Sequence, residues 1–362
     1  MRIIYLLPLL FTFSGIKAQV NGGQSGFSFL QVPQSAPSAA MGGFVVCSQR
    51  MESGFVNDNP ALLQSGMHTT LGIQYSYFLA GSRLNILNYS HQLKKIKTTL
   101  GVGLQYLNYG DFNFYDATGM AIGNGKATDY AIRVSASRTY LDRWRYGISL
   151  RYAHTDLNSE KAAALLADIG VTYSDTAHGW YWGAVVKQAG ITLRTTNAMG
   201  SMNLVPDLRM GIVKRFKKAP FSLGVVAHHL YTWDIRYNNP QDIENNTLFI
   251  GDTSATTEKN YFADKLFRHF IFTLGLHLGK RIEIGFGYNH MRRSELAFSD
   301  KKGMSGFSYG AGLNLNQFQF YFSQAYYQVN RPVTTLGLNM RLNKLIGSKT
   351  NSPWSEQFAS SY

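Results

Sequence analysis

The sequence is poor in charge and in cysteine. Charged residues make up 15% of its 362 residues, against roughly 25% in an ordinary globular domain. The single cysteine, Cys47, excludes a scaffold held by internal disulfides, and we expect it to be a small buried residue. Apolar residues make up 45% of the chain, which excludes a disordered protein.

Long hydrophobic runs are also missing. No run of about 18 apolar residues follows residue 18, so the sequence predicts no membrane-spanning helix. Residues 1–18, MRIIYLLPLLFTFSGIKA, combine a basic Arg2, an apolar stretch and a small Ala18. This pattern is typical of a secretory signal peptide that is cleaved before Gln19. The exported chain is then either a soluble secreted protein or an outer-membrane β-barrel.

The sequence lacks every catalytic string that we sought, including Gly-x-Ser-x-Gly, His-Glu-x-x-His and a Walker phosphate loop. His228 and His229 are adjacent, and adjacent strand residues point to opposite faces, so they should not readily chelate one metal. An outer-membrane phospholipase would need a serine and a histidine on one outward face, and we disfavour it. We therefore predict a protein that is not an enzyme and that needs no cofactor or metal.

What the sequence has instead is 23 Phe, 22 Tyr, 5 Trp and 35 Gly, arranged in repeated period-2 alternation. In 101–106 and 282–288, for example, apolar residues alternate with Gly, Gln or Glu. Alternation suits a strand with one apolar and one polar face. The polar faces are mostly Gly, Ser, Asn and Gln, as in a barrel lumen, whereas the solvent face of a soluble sandwich usually carries many charges. Four charged residues are predicted to point inward: Arg133, Arg151, Glu283 and Arg341.

Fourteen segments carry this alternation, which predicts an all-β fold: a fourteen-stranded antiparallel transmembrane β-barrel over residues 67–342. The even number agrees with a closed bacterial barrel. The predicted strands are 67–78, 82–92, 98–109, 127–138, 143–154, 165–174, 178–187, 205–215, 220–230, 265–279, 280–292, 303–315, 316–326 and 332–342.

The connections alternate in length. Those after even-numbered strands are short, as periplasmic turns are in outer-membrane barrels. The predicted long loops, which would be extracellular, all follow odd-numbered strands: 110–126, 155–164, 188–204, 231–264 and 293–303. The short turns hold basic clusters such as Lys94-Lys95-Ile96-Lys97, and these should face anionic head groups of the outer-membrane lipid. Export leaves no compartment for a nucleic-acid partner.

Residues 19–66 precede the barrel and alternate only briefly. A segment of this length is too short to form a stable domain alone, but it can fill the lumen of a fourteen-stranded barrel as a plug. Residues 343–362 form a C-terminal tail beyond the last strand, without a clear pattern.

The string FLQVPQSAPSAAMGG at 29–43, followed by NDNPALL at 57–63, resembles the N-terminal pattern of the PorV/PorQ group of outer-membrane proteins. That group belongs with the barrels of the long-chain fatty-acid transporter (FadL) type. The resemblance implies a fourteen-stranded barrel with an N-terminal plug. It also implies a role in type IX secretion, within the attachment complex that contains the PorV barrel, the sortase PorU and the surface protein PorZ.

Two functions follow as hypotheses. In the first, the barrel anchors a PorZ-like surface protein through its extracellular loops. The loop 231–264 is the best candidate, because exposed aromatic residues serve as interface anchors. Its candidate partner-binding residues are Tyr231, Trp233, Tyr237, Phe249 and Tyr261. The alternative is a FadL-like channel for a hydrophobic small molecule. The polar, glycine-rich lumen faces argue mildly against it.

Overall fold

The structure is a computed structural model. It describes the residues 26–78, 81–158, 160–196, 204–232, 235, 262–295, 303–328 and 331–345. The predicted signal peptide and residues 346–362 of the predicted tail lie outside these ranges.

The described residues form a closed barrel of fourteen strands, which confirms the predicted fold class. All fourteen predicted strands are present. They are β1 Thr70–Tyr77, β2 Arg83–Leu93, β3 Thr98–Tyr115, β4 Ala121–Tyr140, β5 Trp144–Leu157, β6 Glu160–Asp175, β7 Trp180–Thr195, β8 Asp207–Arg215, β9 Phe221–Ala227, β10 Phe270–Leu278, β11 Ile282–Asn289, β12 Phe307–Asn314, β13 Phe318–Tyr326 and β14 Pro332–Arg341.

Each strand pairs antiparallel with its neighbours in sequence, and β1 pairs with β14 to close the ring. The closing ladder runs from Thr70 opposite Arg341 to Tyr77 opposite Thr334. In the ranges that the structure describes, no helix is long and apolar enough to cross a membrane.

The two faces of the wall have the polarity that the sequence predicts. In β4, Arg133 and Ser135 are buried, whereas Ile132 and Val134, which alternate with them, are 46% and 53% exposed. In a soluble protein most apolar side chains are buried and most polar ones are exposed, and this wall shows the reverse. This is the arrangement expected when lipid surrounds the barrel and polar groups face its interior. The four charged residues predicted to point inward are all buried.

Three of the predicted long loops are wrong in part, because strands occupy much of them. The strands that extend into these ranges are β3 and β4 in 110–126, β5 and β6 in 155–164, and β7 in 188–204. Outside the lipid both faces of a hairpin meet water, so the apolar and polar alternation that reveals a strand is lost. A bulge between Asn108 and Asp111 also shifts the alternation in β3.

Two predicted strand ends are helices instead. Helix α2, Phe262–Arg268, precedes β10, and helix α3, His290–Glu295, follows β11. The two helices contact each other. An ion pair joins them, since Arg268 Nη1 lies 3.3 Å from Glu295 Oε1, and within α2 Arg268 Nε lies 2.8 Å from Asp264 Oδ2. A final helix, α4, spans Leu342–Leu345.

The N-terminal segment, residues 26–69, is built of short helical turns. These are helix α1, Ala36–Ala40, and 3-10 turns at Ser28–Gln31, Ser53–Asn57, Pro60–Leu62 and Ser65–Met67; one further 3-10 turn, Lys94–Ile96, connects β2 and β3. Helix α1 contacts strands β11 to β14, while the turn at Pro60–Leu62 contacts β4, β5 and β6. The segment therefore contacts strands on opposite sides of the barrel.

Inward-facing glycines allow this close contact. A Cβ added at Gly147 would lie 2.4 Å from the carbonyl carbon of Pro60 and 2.6 Å from the nitrogen of Ala61. At Gly287 it would lie 2.2 Å from the nitrogen of Gly42. In both places the obstacle is backbone, which cannot rotate aside. The glycine-rich inner face thus matches the shape of the N-terminal segment.

We expect Gly147→Ala to lower the free energy of unfolding by about 1–3 kcal/mol, because the added methyl group overlaps the backbone of the segment. The temperature at which purified protein unfolds in detergent measures this change. Gly123→Ala is the matched control, since nothing lies within 4 Å of a Cβ placed there. Equal unfolding temperatures for the two variants would contradict the close contact.

Candidate functional site

The inner wall is apolar in one region. Near the connections that follow odd-numbered strands, eight inward side chains of β2 to β6 are aliphatic and fully or nearly fully buried, and the buried Asp129 and Thr155 share this face. We call this region the apolar chamber. Its wall residues are Leu84, Ile86, Leu107, Ala131, Ala153, Ala162, Ala164 and Leu166. This region is an exception to the polar, glycine-rich lumen faces that the sequence indicates.

The N-terminal segment fills the apolar chamber with its first described turn. Phe27, Phe29 and Leu30 belong to the same buried cluster as the chamber wall. The amide of Gln105 donates a hydrogen bond to the carbonyl oxygen of Phe29 over 2.9 Å, which fixes the turn to β3. Alanine at four of the eight wall positions leaves the space that these two phenyl rings occupy.

On the periplasmic side of the chamber, inward positions of β4 to β7 carry charge. Arg133 on β4 lies directly opposite Arg151 on β5 in the ladder. Arg151 Nη2 lies 3.1 Å from Asp168 Oδ2, and Lys187 Nζ lies 3.8 Å from the same oxygen. The Lys187 ammonium also donates a hydrogen bond to the carbonyl oxygen of Asn57 in the N-terminal segment. The chamber therefore has an apolar wall and a charged floor.

Further charged contacts hold the N-terminal segment to the wall. Arg50 forms an ion pair with Glu283 of β11 and donates a hydrogen bond to the Tyr321 hydroxyl over 3.1 Å. Glu52, which is completely buried, accepts hydrogen bonds from Gln74 and Asn339 on β1 and β14. Breaking a buried ion pair by removing one partner costs about 3–5 kcal/mol. Moving the whole segment away from the wall would therefore cost a large free energy, because these buried contacts would break.

Cys47 belongs to the same segment and is buried as predicted. Its thiol donates a hydrogen bond to the carbonyl oxygen of Tyr181 over 3.4 Å, and burial raises its pKa to about 12. A thiol that stays protonated is a poor nucleophile.

A serine, a histidine and a carboxylate on the neighbouring strands β9, β10 and β11 lie in a row across the inner wall. Ser222 Oγ is 3.1 Å from His277 Nε2, and His277 Nδ1 is 3.5 Å from Glu283 Oε1. However, the adjoining cavity measures about 60 Å³, which is room for roughly two water molecules. Glu283 is also neutralised by Arg50. This volume is far below the roughly 300–1,000 Å³ of typical small-molecule sites.

The adjacent histidines behave differently from the prediction. Strand β9 ends at Ala227, and His229 has a positive φ of 54°, so the two imidazoles turn toward each other. Their Nδ1 atoms are 2.5 Å apart, within hydrogen-bonding contact. In the part of the chain that the structure describes, no group of three or more His, Cys, Asp or Glu side chains is placed to hold a metal ion.

The predicted partner-binding residues are only partly described. Tyr231 lies in the turn that follows β9, with 43% of its surface exposed. Trp233, Tyr237, Phe249 and Tyr261 lie outside the described residues. The structure adds an exposed aromatic site that the sequence reasoning missed, on the extension of β3 and β4. The run Phe112-Asn113-Phe114-Tyr115 could have indicated it, but this run fell within a predicted loop.

No protein-family model matches the chain, and no curated protein matches it. Solved structures do. The chain is similar to a ΔS2S3 mutant of the TodX monoaromatic hydrocarbon channel, with 11% identity and a TM-score of 0.51 over 85% of this chain and 97% of that one. It is also similar to the CymD monoaromatic hydrocarbon channel, with 13% identity and a TM-score of 0.51 over 86% and 98%.

At these identities the likeness concerns the fold alone. The chain has the FadL-like barrel fold that these channels share. Together with the apolar outer wall, this fold places the protein in the outer membrane.

Acid should destabilise the protein at the histidine pair. Burial lowers the pKa of His228 and of His229, Arg209 and His269 lower that of both further, and Asp207 opposes them. The unfolded chain takes up protons below about pH 6.5, where the folded pair stays neutral. The free energy of unfolding should therefore fall between pH 7.5 and pH 5, as followed by the unfolding temperature in detergent.

The double variant His228→Leu, His229→Asn should show a smaller fall, and asparagine at 229 tolerates the positive φ. His91→Gln, at the other end of the barrel, is the matched control. An acid response in the double variant as large as that of the unmodified protein would contradict the assignment.

Proposed function

We propose that the protein is an outer-membrane channel for a hydrophobic small molecule, which binds in the apolar chamber. The observation that carries this proposal is the chamber itself: a recess walled by alanine and leucine and filled by the phenyl rings of Phe27 and Phe29. A space that holds two phenyl rings can hold a one-ring aromatic compound once they leave. Apolar cavities of this kind stay dry and bind such compounds.

The comparisons with solved structures support the channel better than the anchoring hypothesis. Both neighbours reported above are named as monoaromatic hydrocarbon channels. The fold, rather than any shared residue, carries this support, because sequence identity is 13% or less.

In this proposal residues 26–69 act as the plug. The turn that bears Phe27, Phe29 and Leu30 is short, and Gln105 of the wall donates a hydrogen bond to it. The rest of the segment is held by buried charged contacts such as that between Arg50 and Glu283. We therefore infer that the first turn leaves the chamber when a ligand arrives, while the remainder of the segment stays in place.

We expect Ala164→Trp to lower ligand uptake toward background, because a large side chain at this completely buried position fills the chamber. Initial uptake of a radiolabelled one-ring hydrocarbon is measured in cells in which this chain is the single such channel. Phe112→Ala, outside the chamber, is the control and should leave uptake unchanged. Ala153→Leu is a milder second variant, used where Ala164→Trp fails to reach the membrane. The channel would be refuted if cells with the unmodified protein took up no more of the compound than cells that lack it.

A second candidate function is an attachment-complex component of type IX secretion that resembles PorQ and anchors a PorZ-like surface protein near a PorV-like barrel and a PorU-like sortase. The N-terminal string resembling the PorV/PorQ group suggests it. A specific observation favours it as well: the hairpin formed by 109–126 carries large exposed apolar side chains. These are Phe112, Phe114, Tyr115, Met120 and Ile122, which are 36–69% exposed.

This hairpin suits a protein partner. Phe112 and Phe114 lie opposite Gly125 and Gly123 in the ladder, with ring centroids 5.2 Å apart. The neighbouring ladders stop before these residues, because β2 pairs with β3 only as far as Asn108 and β5 pairs with β4 from Ala127 onward. An exposed aromatic pair on a two-stranded ribbon with open edges offers both anchor side chains and backbone hydrogen bonds.

The double variant Phe112→Ser, Phe114→Ser should reduce retention of a stoichiometric surface protein in a mild-detergent pull-down from the native outer membrane. Deletion of 238–258, in the originally predicted loop, is the companion variant. Loss of the partner with the deletion alone would return the interface to that loop. A barrel that copurifies without any surface protein would remove this second candidate.

A further inference from the structure

A groove of about 350 Å³ crosses the outer wall from β5 to β10. One side of it is a ridge of three aromatic residues from adjacent strands. Trp144, Tyr173 and Trp182 have ring centroids 4.9, 5.4 and 5.1 Å apart. They are consecutive in one row of the sheet, since Trp144 pairs with Tyr173 and Tyr173 pairs with Trp182.

The side chains in the next row of the sheet are smaller than those of the ridge. It contains Val171, Ala184, Met210 and Ala227, each opposite the next in the ladder. Small alanines beside a ridge of indole and phenol rings leave a trough on the surface that faces lipid. An acyl chain fits a trough of this kind, since the lining of the groove is almost wholly apolar.

Cations stand at the end of the groove near the short turns. Arg143, in the turn between β4 and β5, has its Nη1 3.4 Å from the hydroxyl of Tyr173. Lys214 at the end of β8 lies 4.4 Å from the ring centroid of Trp180 and donates a hydrogen bond to the carbonyl oxygen of His178 over 2.7 Å. Two acids lie close to these cations: Asp142 directly precedes Arg143 in the turn, and Asp175 is 2.8 Å from His178 Nδ1.

We propose that this groove is a binding site for one anionic glycerophospholipid of the periplasmic leaflet. Its acyl chain lies in the trough, and its phosphate meets Arg143 and Lys214. The charge complementarity decides the occupant, because aromatic rings that carry cations at the depth of the head groups match an anionic amphiphile. The site is separate from the apolar chamber, which lies inside the barrel.

Another outer-wall groove serves for comparison. It measures about 660 Å³ and is lined by residues of β1 and β11 to β14, among them Ile73, Phe320 and Leu336. Its lining is also apolar, so it should take up bulk lipid chains without preference for charge. Selective binding is therefore expected on the β5–β10 side of the barrel.

Tryptophan fluorescence tests the proposal, because two indoles form the ridge. The full chain is reconstituted in phosphatidylcholine bilayers that contain a small fraction of either dibrominated phosphatidylglycerol or dibrominated phosphatidylcholine. The brominated anionic lipid should quench at a several-fold lower mole fraction than the neutral one. Trp182→Phe should remove much of this selective quenching. That loss would show that the brominated lipid quenches an indole in the groove.

The double variant Arg143→Gln, Lys214→Gln should reduce the preference for the anionic lipid by about fivefold or more, as loss of charges near a lipid surface predicts. Lys95→Gln, Lys97→Gln removes two charges from another short turn and should keep the preference. If both double variants lost this preference equally, the attraction would be diffuse and the specific site would be overturned. Equal quenching by the two lipids in the unmodified protein would also overturn it. Circular dichroism of each variant verifies that the barrel is folded.

Discussion

Closure of the hydrogen-bonded ring is the constraint on which the rest of the structure depends. In hydrocarbon each unpaired backbone group costs several kcal/mol, so a sheet can cross a membrane only without edges. The ladder between β1 and β14 removes the last two edges. Once the ring is closed, alternate residues must face either lipid or the interior. The charges of Arg133, Arg151 and Glu283 have nowhere else to lie than inside.

The inner wall is also covered in part, because the N-terminal segment, residues 26–69, contacts strands on several sides of it. Glycines such as Gly147 and Gly287 bring its backbone against the wall. Its carboxylate Glu52 and its cation Arg50 satisfy polar groups on β1, β11 and β14. The attachment is uneven, since the turn at Ser28–Gln31 rests on apolar packing whereas later turns carry buried charge. Because of this difference, the turn at Ser28–Gln31 can move at a lower cost in free energy than the later turns.

The two candidate functions use different surfaces of one molecule. A channel depends on the apolar chamber inside the barrel, whereas an anchor depends on the hairpin around Phe112 and Phe114 outside it. A substitution in one surface leaves the other intact, so experiments can separate them. The lipid groove beside Trp182 is a third surface and depends on neither.

The sequence by itself determined the number of strands, their order and which face meets lipid, because the period-2 pattern is enforced by the membrane. It also indicated the inward charges. Outside the lipid this pattern disappears, so the extensions of β3 to β7 and helices α2 and α3 emerged only from the structure. Only tertiary structure could bring Phe29 together with Ala153 and Ala164, since the chamber joins residues from five strands and a distant turn. The contact between His228 and His229 likewise depends on a left-handed backbone that strand geometry does not predict.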